Sequence, residues 1–473
     1  MKPKPSPIDD KQGHLFRIEL ERIIHNGHPM VRLAEAIDWD RLDEVFGKSY
    51  CPDNGRPAIS TRLMVSLHYL KYTYDLSDEN VLLGWLENPY WQYLSGMKFF
   101  EHSLPIDPSS MSRWRKRIKD SGAEELLRET ISAGLRLKAI KRSQLKRVNI
   151  DTTVQEKFIR YPTDARLYDR ARSRLVSMAK KRGIKLRQSY SRIARKMFIM
   201  QSRYARARQM KRAARCTKKL RTWLGRVIRD IERKCSFPDA ELKKALDTAT
   251  RIYHQKKRDK NKVYSFHEPQ VECISKGKAH KKYEFGTKVS IAGTSRGGWI
   301  VGALAFPGNP YDGHTLSKSI AQIERISSRP EHVFPDQGYR GHDYKGAVAV
   351  HVAKRKRGRT PQSLWRWMRR RAAIEPAISH LKHDHRLNRN RLKGFLGDCL
   401  NVILSAAGMN FHKLLRWVAA FFCLICSACK VVKSQLMQAT LSEMWVFQGR
   451  LIIVTGVFLC KVSKKNLVCH GFI

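Results

Sequence analysis

Three acidic residues occur where a hard metal ion could be held: Asp151 in VNIDTT, Asp336 in VFPDQGYRG and Glu375 in RRRAAIEPAISHLK. The first two follow short apolar runs and are expected in or at the end of strands, and the third falls on a predicted helix flanked by arginines. Phosphodiester hydrolysis and transfer commonly use two cations, about 3.5–4 Å apart, to activate the attacking oxygen and stabilise the leaving one. Mg2+ takes one or two carboxylates together with water and substrate phosphate. Each acid alone also has an ordinary structural reading. Asp151 before Thr152 fits a cap or turn, and Asp336 in Asp-Gln-Gly fits a strand-ending turn. Glu375 near Arg369, Arg370 and Arg371 fits a helix-stabilising ion pair.

The bulk composition narrows the partner. The chain has 473 residues and a formal net charge of +50, from 92 Lys plus Arg against 42 Asp plus Glu. Such an excess suits polyphosphate, because each neutralised phosphate releases a counterion. Histone-like, ribosomal and membrane-surface proteins share the bias, so charge alone does not name the partner. A hydrophobic content of 42% excludes wholesale disorder. The amino terminus, MKPKPSPIDDKQGHLF, has no apolar core of a secretory signal. No run reaches the roughly 18 apolar residues of a spanning helix. The nearest, Trp417 to Cys429, is bounded by Arg416 and Lys430. Cys423, Cys426 and Cys429 recur every third residue without zinc-ligand partners, and the ten cysteines read as free thiols in a reducing compartment.

Residues 1–140 read as helical. Ser60 is expected to cap a helix from Thr61 to Tyr74, Ser77 to cap another, and Asn88-Pro89 to break it. Asp107-Pro108 starts a helix carrying Arg113, Arg115, Lys116 and Arg117. Short helices with a basic last member fit a helix-turn-helix type DNA-binding domain, and equally a bundle with a solvated basic face. KRVNIDTTV then reads as a strand. From about 163 to 262 the pattern is helical and very basic, with 23 Lys or Arg between Ala171 and Cys235 against Asp230 and Glu232. Leu175, Met178, Ile193, Met197, Met200, Leu220, Leu224, Ile228 and Ile231 recur at helical spacing, so the segment is expected to pack one face and offer the other to phosphates. Strand-like runs resume after Lys262, with SRGG marking a hairpin, and an apolar helix follows Gly397. The expected class is α/β, a mixed sheet with helices packed on it. The expected division is 1–140, 141–425 and a tail, 426–473.

Together these parts resemble the bacterial insertion-sequence transposases of the DDE class, in the group numbered five. The resemblance rests on DLSDENVLLGWLENPYWQYLSG, VNIDTT, a long insert, GNPYDGHTL, DQGYRG, and R-x3-E-x6-K as Arg371, Glu375 and Lys382. It covers about residues 10–420. Met368 stands where the last signature usually opens with tyrosine. The resemblance implies a ribonuclease-H-like core with Asp151, Asp336 and Glu375 as ligands of two Mg2+ ions, for which Mn2+ could substitute. Arg371 and Lys382 would grip phosphates near the scissile bond, and Arg113, Arg115, Arg117, Tyr339 and Arg340 would contact DNA. His314 is a lesser candidate, read as a turn residue. The implied activity is cleavage at the terminal inverted repeats and strand transfer into target DNA, by a homodimer on DNA in the bacterial cytoplasm and nucleoid.

The carboxy-terminal tail departs from that pattern. It could be a frameshift or read-through product, or a lineage-specific segment. Two other functions remain open on these residues: a metal-dependent nuclease or resolvase that cuts without joining, and a nucleic-acid-binding protein without catalysis.

Overall fold

The computed structural model describes residues 17–50, 58–256, 258–275, 282–354 and 358–444. The amino-terminal region contains α1 Leu20–Ile23, α2 Pro29–Ala36, α3 Trp39–Gly47, α4 Thr61–Thr73, α5 Asp78–Glu87, α6 Pro89–Leu94, α7 Pro108–Arg136 and α8 Arg142–Leu145. Side chains set several boundaries. Ser77 Oγ accepts from Asn80 N at 3.1 Å, and Asn88 Oδ1 accepts from Tyr90 N and Trp91 N, which separates α5 from α6. Asp107 Oδ1 accepts from Ser109 N at 2.8 Å, and Pro108 sits where its missing N–H costs nothing. Ser60 precedes α4 but makes no side-chain cap bond. The basic helix runs past Gly122 to Arg136, with one non-helical residue, Lys119, inside it.

A mixed sheet follows, with helices packed on it, as expected. Its strands are β1 Arg147–Glu156, β2 Glu272–Ser275, β3 Tyr283–Thr294, β4 Ile300–Phe306, β5 His332–Pro335 and β6 Ala349–Val350. The order is β2-β3-β1-β5-β6, with β4 also paired to β3. β1 runs antiparallel to β3 and parallel to β5, which runs parallel to β6. The SRGG turn joins β3 to β4 as a hairpin.

Between β1 and β2 lies the basic insertion: α9 Asp164–Lys181, α10 Ser191–Arg206, α11 Met210–Lys234 and α12 Ala240–His254. It has an apolar cluster of its own, including Leu175, Leu220, Leu224, Ile228 and Ile252. Ile193 and Met200, expected in that core, are exposed instead, because α10 buries only Ala194 fully.

The remaining helices are α13 Leu316–Ile326, α14 Gln362–Arg370, α15 Ile374–His383 and α16 Gly394–Met444. Up to Ala419, α16 belongs to the same compact unit as everything before it. Helices of the amino-terminal region, the sheet and α16 share one apolar core that contains Trp85, Leu127, Ile150, Val289, Leu404 and Phe411. The change near residue 140 is therefore a change of element type within a continuous core. Polar bonds cross the same boundary: Tyr72 Oη donates to Asn401 Oδ1 at 3.1 Å, and Asn410 Nδ2 donates to Thr130 Oγ1 and to the carbonyl of Ile300. No helix among the described residues is long and apolar enough to cross a membrane. The side chains of Cys423, Cys426 and Cys429, and the tail beyond 444, lie outside the described residues. Cys216, Cys235, Cys273 and Cys399 are free thiols.

Candidate active site

Strand register places the first two acids side by side. Ile150 pairs with Pro335 across the parallel β1–β5 ladder, so the next residues, Asp151 and Asp336, emerge from adjacent strands, which run about 4.8 Å apart. Asp151 is still within β1, and its Oδ1 accepts from Thr152 N at 2.7 Å. Asp336 ends its strand and leads into a one-turn 3-10 helix, Gln337–Tyr339.

Glu375 arrives from the other side, on the first turn of α15, where an acid is favoured by the helix dipole and Pro376 is tolerated. A short 3-10 turn, Arg371–Ala373, joins α14 to α15. Buried Asn149 of β1 holds that junction against the sheet: its Nδ2 donates to the carbonyl of Arg370, and its Oδ1 accepts from Ser295 Oγ at 2.6 Å. Arg370 Nε in turn donates to the carbonyl of Ser295. Ile374 is buried beside Gly293, where a Cβ would stand 2.9 Å from its Cδ1. Glycine there lets α15 approach the strand.

The three acids converge on one guanidinium. Arg371 lies 4.0 Å from Asp151, 3.7 Å from Asp336 and 3.4 Å from Glu375. Among the described residues no three His, Cys, Asp or Glu side chains are close enough to share one ion. The guanidinium holds the space between the carboxylates, and its N–H groups stand where positive charge is wanted. The donor chemistry fits a hard cation, since every ligand offered is a carboxylate oxygen. The spacing as it stands does not bring the three acids onto one ion.

A fourth carboxylate, Asp312, completes the neighbourhood and escaped the sequence reading, although GNPYDGHTL drew attention to its segment. Its Oδ1 accepts from Thr152 Oγ1 at 2.9 Å and from Lys288 Nζ at 3.0 Å. On the other side a Cβ on Gly338 would meet Asp312 Oδ2 at 3.0 Å. Tyr311 Oη donates to the carbonyl of Arg340. The segment thus braces the residue after Asp151 against the turn after Asp336.

The other expected residues divide by exposure. Arg113, Arg117 and Arg340 are exposed, and Arg117 stacks on Tyr50. Lys382 is half-buried on α15, two turns beyond Glu375, and His314 lies exposed in a 3-10 turn. Two expectations need correction. Arg115 is buried, and its guanidinium donates to both oxygens of Asp78, at 2.9 and 2.6 Å, so it is committed to the fold rather than offered to phosphate. Tyr339 is fully buried, and burial pushes its hydroxyl well above the ordinary tyrosine range. Its ring belongs to the main apolar core rather than to the surface.

Comparison with known proteins gives two family matches and one relative. A family described as "Transposase domain (DUF772)" matches residues 18–117, and one described as "Transposase DDE domain" matches residues 248–411. The chain is 52% identical over 206 residues to "Uncharacterized protein ORF8 in nfe locus" of Rhizobium meliloti, which covers 44% of this chain and 99% of that protein. No solved structure matches.

Proposed function

Because the chain belongs to the DDE transposases of insertion-sequence type, we propose that it binds the terminal inverted repeats of its own element, cuts there, and joins the freed ends to target DNA. Its core would be ribonuclease-H-like, within the group numbered five. The observation that carries the reading is the meeting of Asp151, Asp336 and Glu375 around Arg371. Transposases of this class generally use divalent metal ions, and here Asp151, Asp336 and Glu375 would hold them, Mg2+ or in its place Mn2+. Bound metal supplies Lewis acidity at the scissile phosphate and a more acidic water.

The chain's own residues account for the rest. Arg371 keeps like charges together while the site is empty of substrate, then turns to the phosphate, where a planar guanidinium can bind two oxygens at once. Lys382 adds a point charge on the same helix as Glu375. Water attacks the phosphodiester and leaves a 3′-hydroxyl. That hydroxyl then attacks a target phosphodiester, and the displaced target oxygen takes up a proton. Two ends must be brought together, which implies a homodimer on DNA, working in the cytoplasm at the nucleoid.

The test is cleavage and joining on a labelled duplex bearing the repeats that flank the gene, with Mg2+ or EDTA, for wild type and Glu375→Gln. Metal-dependent nicks at the repeat ends and joined products, both lost in the variant, are expected. Nicks without joining would make it a nuclease. Binding with no metal-dependent product would make it a DNA-binding protein.

A further inference from the structure

A polar groove of about 430 Å³ opens beyond the carboxy-terminal end of α15, between that helix, the loop that follows it, and the turn between α4 and α5. Five cations line it, Lys71, Lys382, Arg386, Arg389 and Arg391, against the single acid Asp75. Lys71 and Arg386 are partly neutralised. Lys71 bonds Asp78 at 2.6 Å, and Arg386 donates to the carbonyl and the carboxylate of Asp75. Arg389 and Arg391 are exposed and pair with no carboxylate among the described residues; Arg391 lies over the ring of Phe158.

The loop that carries these arginines is costly to build. Arg386 and Arg389 both adopt left-handed backbone angles, with φ of 63° and 53°, a conformation worth on the order of 1–3 kcal/mol against a non-glycine residue. Buried polar groups hold it in place. Asn401 Nδ2 donates to the carbonyl of Arg386, Asn390 Nδ2 to Asp398, and Lys157 Nζ to the carbonyl of Leu392. The Asn390 backbone bonds that of Glu156 and of Phe158 at the end of β1. Strain held by a buried network, with cations projecting from it, is how a fold presents charge at fixed positions.

We propose that this groove takes the DNA backbone next to the cleaved bond, Arg389 and Arg391 each neutralising one phosphate. The inference rests on the transposase reading and extends it to a surface that joins the amino-terminal helices to the catalytic helix. Lys382 and Glu375 share α15 seven residues apart, about 10 Å along the axis, so backbone leaving the carboxylates reaches the groove within a few nucleotides.

The experiment measures binding of the full chain to the end duplex in EDTA, where nothing is cut, as a function of salt. Each lost phosphate contact reduces the slope of log K against log salt by about 0.9, so Arg389→Ala with Arg391→Ala should flatten it by about 1.8. Replacing both by lysine should restore the slope, since lysine still neutralises a phosphate. Ethylating phosphates beside the cut site should weaken wild type but not the alanine variant. An unchanged slope, a slope not restored by lysine, or interference only far from the cut would overturn the proposal. A wild type that binds but never cuts would overturn the catalytic reading, and a slope still flattened by the alanine variant would then keep the groove as a phosphate site without its place beside a cut.

Discussion

Arg115 is the sharpest place to separate fold from DNA contact. The substitution Arg115→Met keeps an unbranched apolar stem while deleting the guanidinium and its charge. The guanidinium makes two charge-assisted bonds to Asp78 and one to Ser112 Oγ, and its side chain is 3% exposed. Removing one member of a buried pair typically costs about 3–5 kcal/mol, because the other charge is left behind. Here Lys71 still bonds Asp78 at 2.6 Å, and Asp78 keeps 17% of its side-chain surface for water. Both reduce the penalty, to about 2–3 kcal/mol. Urea unfolding should show a lower midpoint at unchanged slope. Arg113→Met and Arg117→Met, at exposed sites of the same helix, should each stay within about 1 kcal/mol of wild type. Salt-dependent DNA binding gives the opposite ranking: Arg115→Met should leave its slope alone. A variant with an unshifted midpoint and a shallower salt dependence would refute the reasoning and return Arg115 to the DNA.

Two further outcomes follow from neighbouring features. His68 is fully buried, and desolvation, then the Arg115 charge, lower its pKa to about 3. The unfolded chain takes up that proton below about 6.5 while the fold refuses it, so this stability is present above pH 6.5 and lost as pH falls toward 3. His68→Gln should therefore make unfolding free energy fall less steeply between pH 6.5 and 4, by up to about 1.4 kcal/mol per unit; an identical slope would exclude the histidine. Asp312→Asn keeps an acceptor for Thr152 but loses the ion pair with Lys288. Residues that brace metal ligands are worth roughly 10–100-fold in activity, so under the proposed function cleavage should slow by about that factor with end binding unchanged. Equal cleavage rates would make Asp312 a purely local turn residue.

The placement of the acids was readable because the elements that carry them were. A β-branched run ending in Asp specifies both a position and a donor, and the parallel register of β1 and β5 does the rest. Spacing also placed Arg371 on the side of Glu375, although a 3-10 turn rather than one continuous helix brings them together. Arg115 was misread because helical periodicity does not say which basic residue has a buried acid waiting, and Asp78 lies on a different helix. Tyr339 was misread because a tyrosine beside Asp336 looks the same in sequence whether it faces in or out. Asp312 stayed hidden for the converse reason: Asp-Gly is a turn signal, and its contacts come from β1, β3 and the turn after Asp336. The shared core had no signature, since apolar positions do not name the partner they pack against.

That shared core has a consequence for the order of synthesis. Tyr69 stacks on Phe411, Tyr72 bonds Asn401, and Thr73 bonds the carbonyl of Gly408, so α4 is closed by residues made more than 300 positions later. About 250 residues separate the end of the amino-terminal helices from the start of α16. At roughly 5–20 residues per second, a ribosome takes about 13–50 s to cross them. For that interval the amino-terminal helices are complete but unsealed, with Tyr69, Tyr72 and Thr73 lacking their partners on α16. A growing chain of this protein therefore keeps one face of α4 uncovered until almost all of the fold has been made.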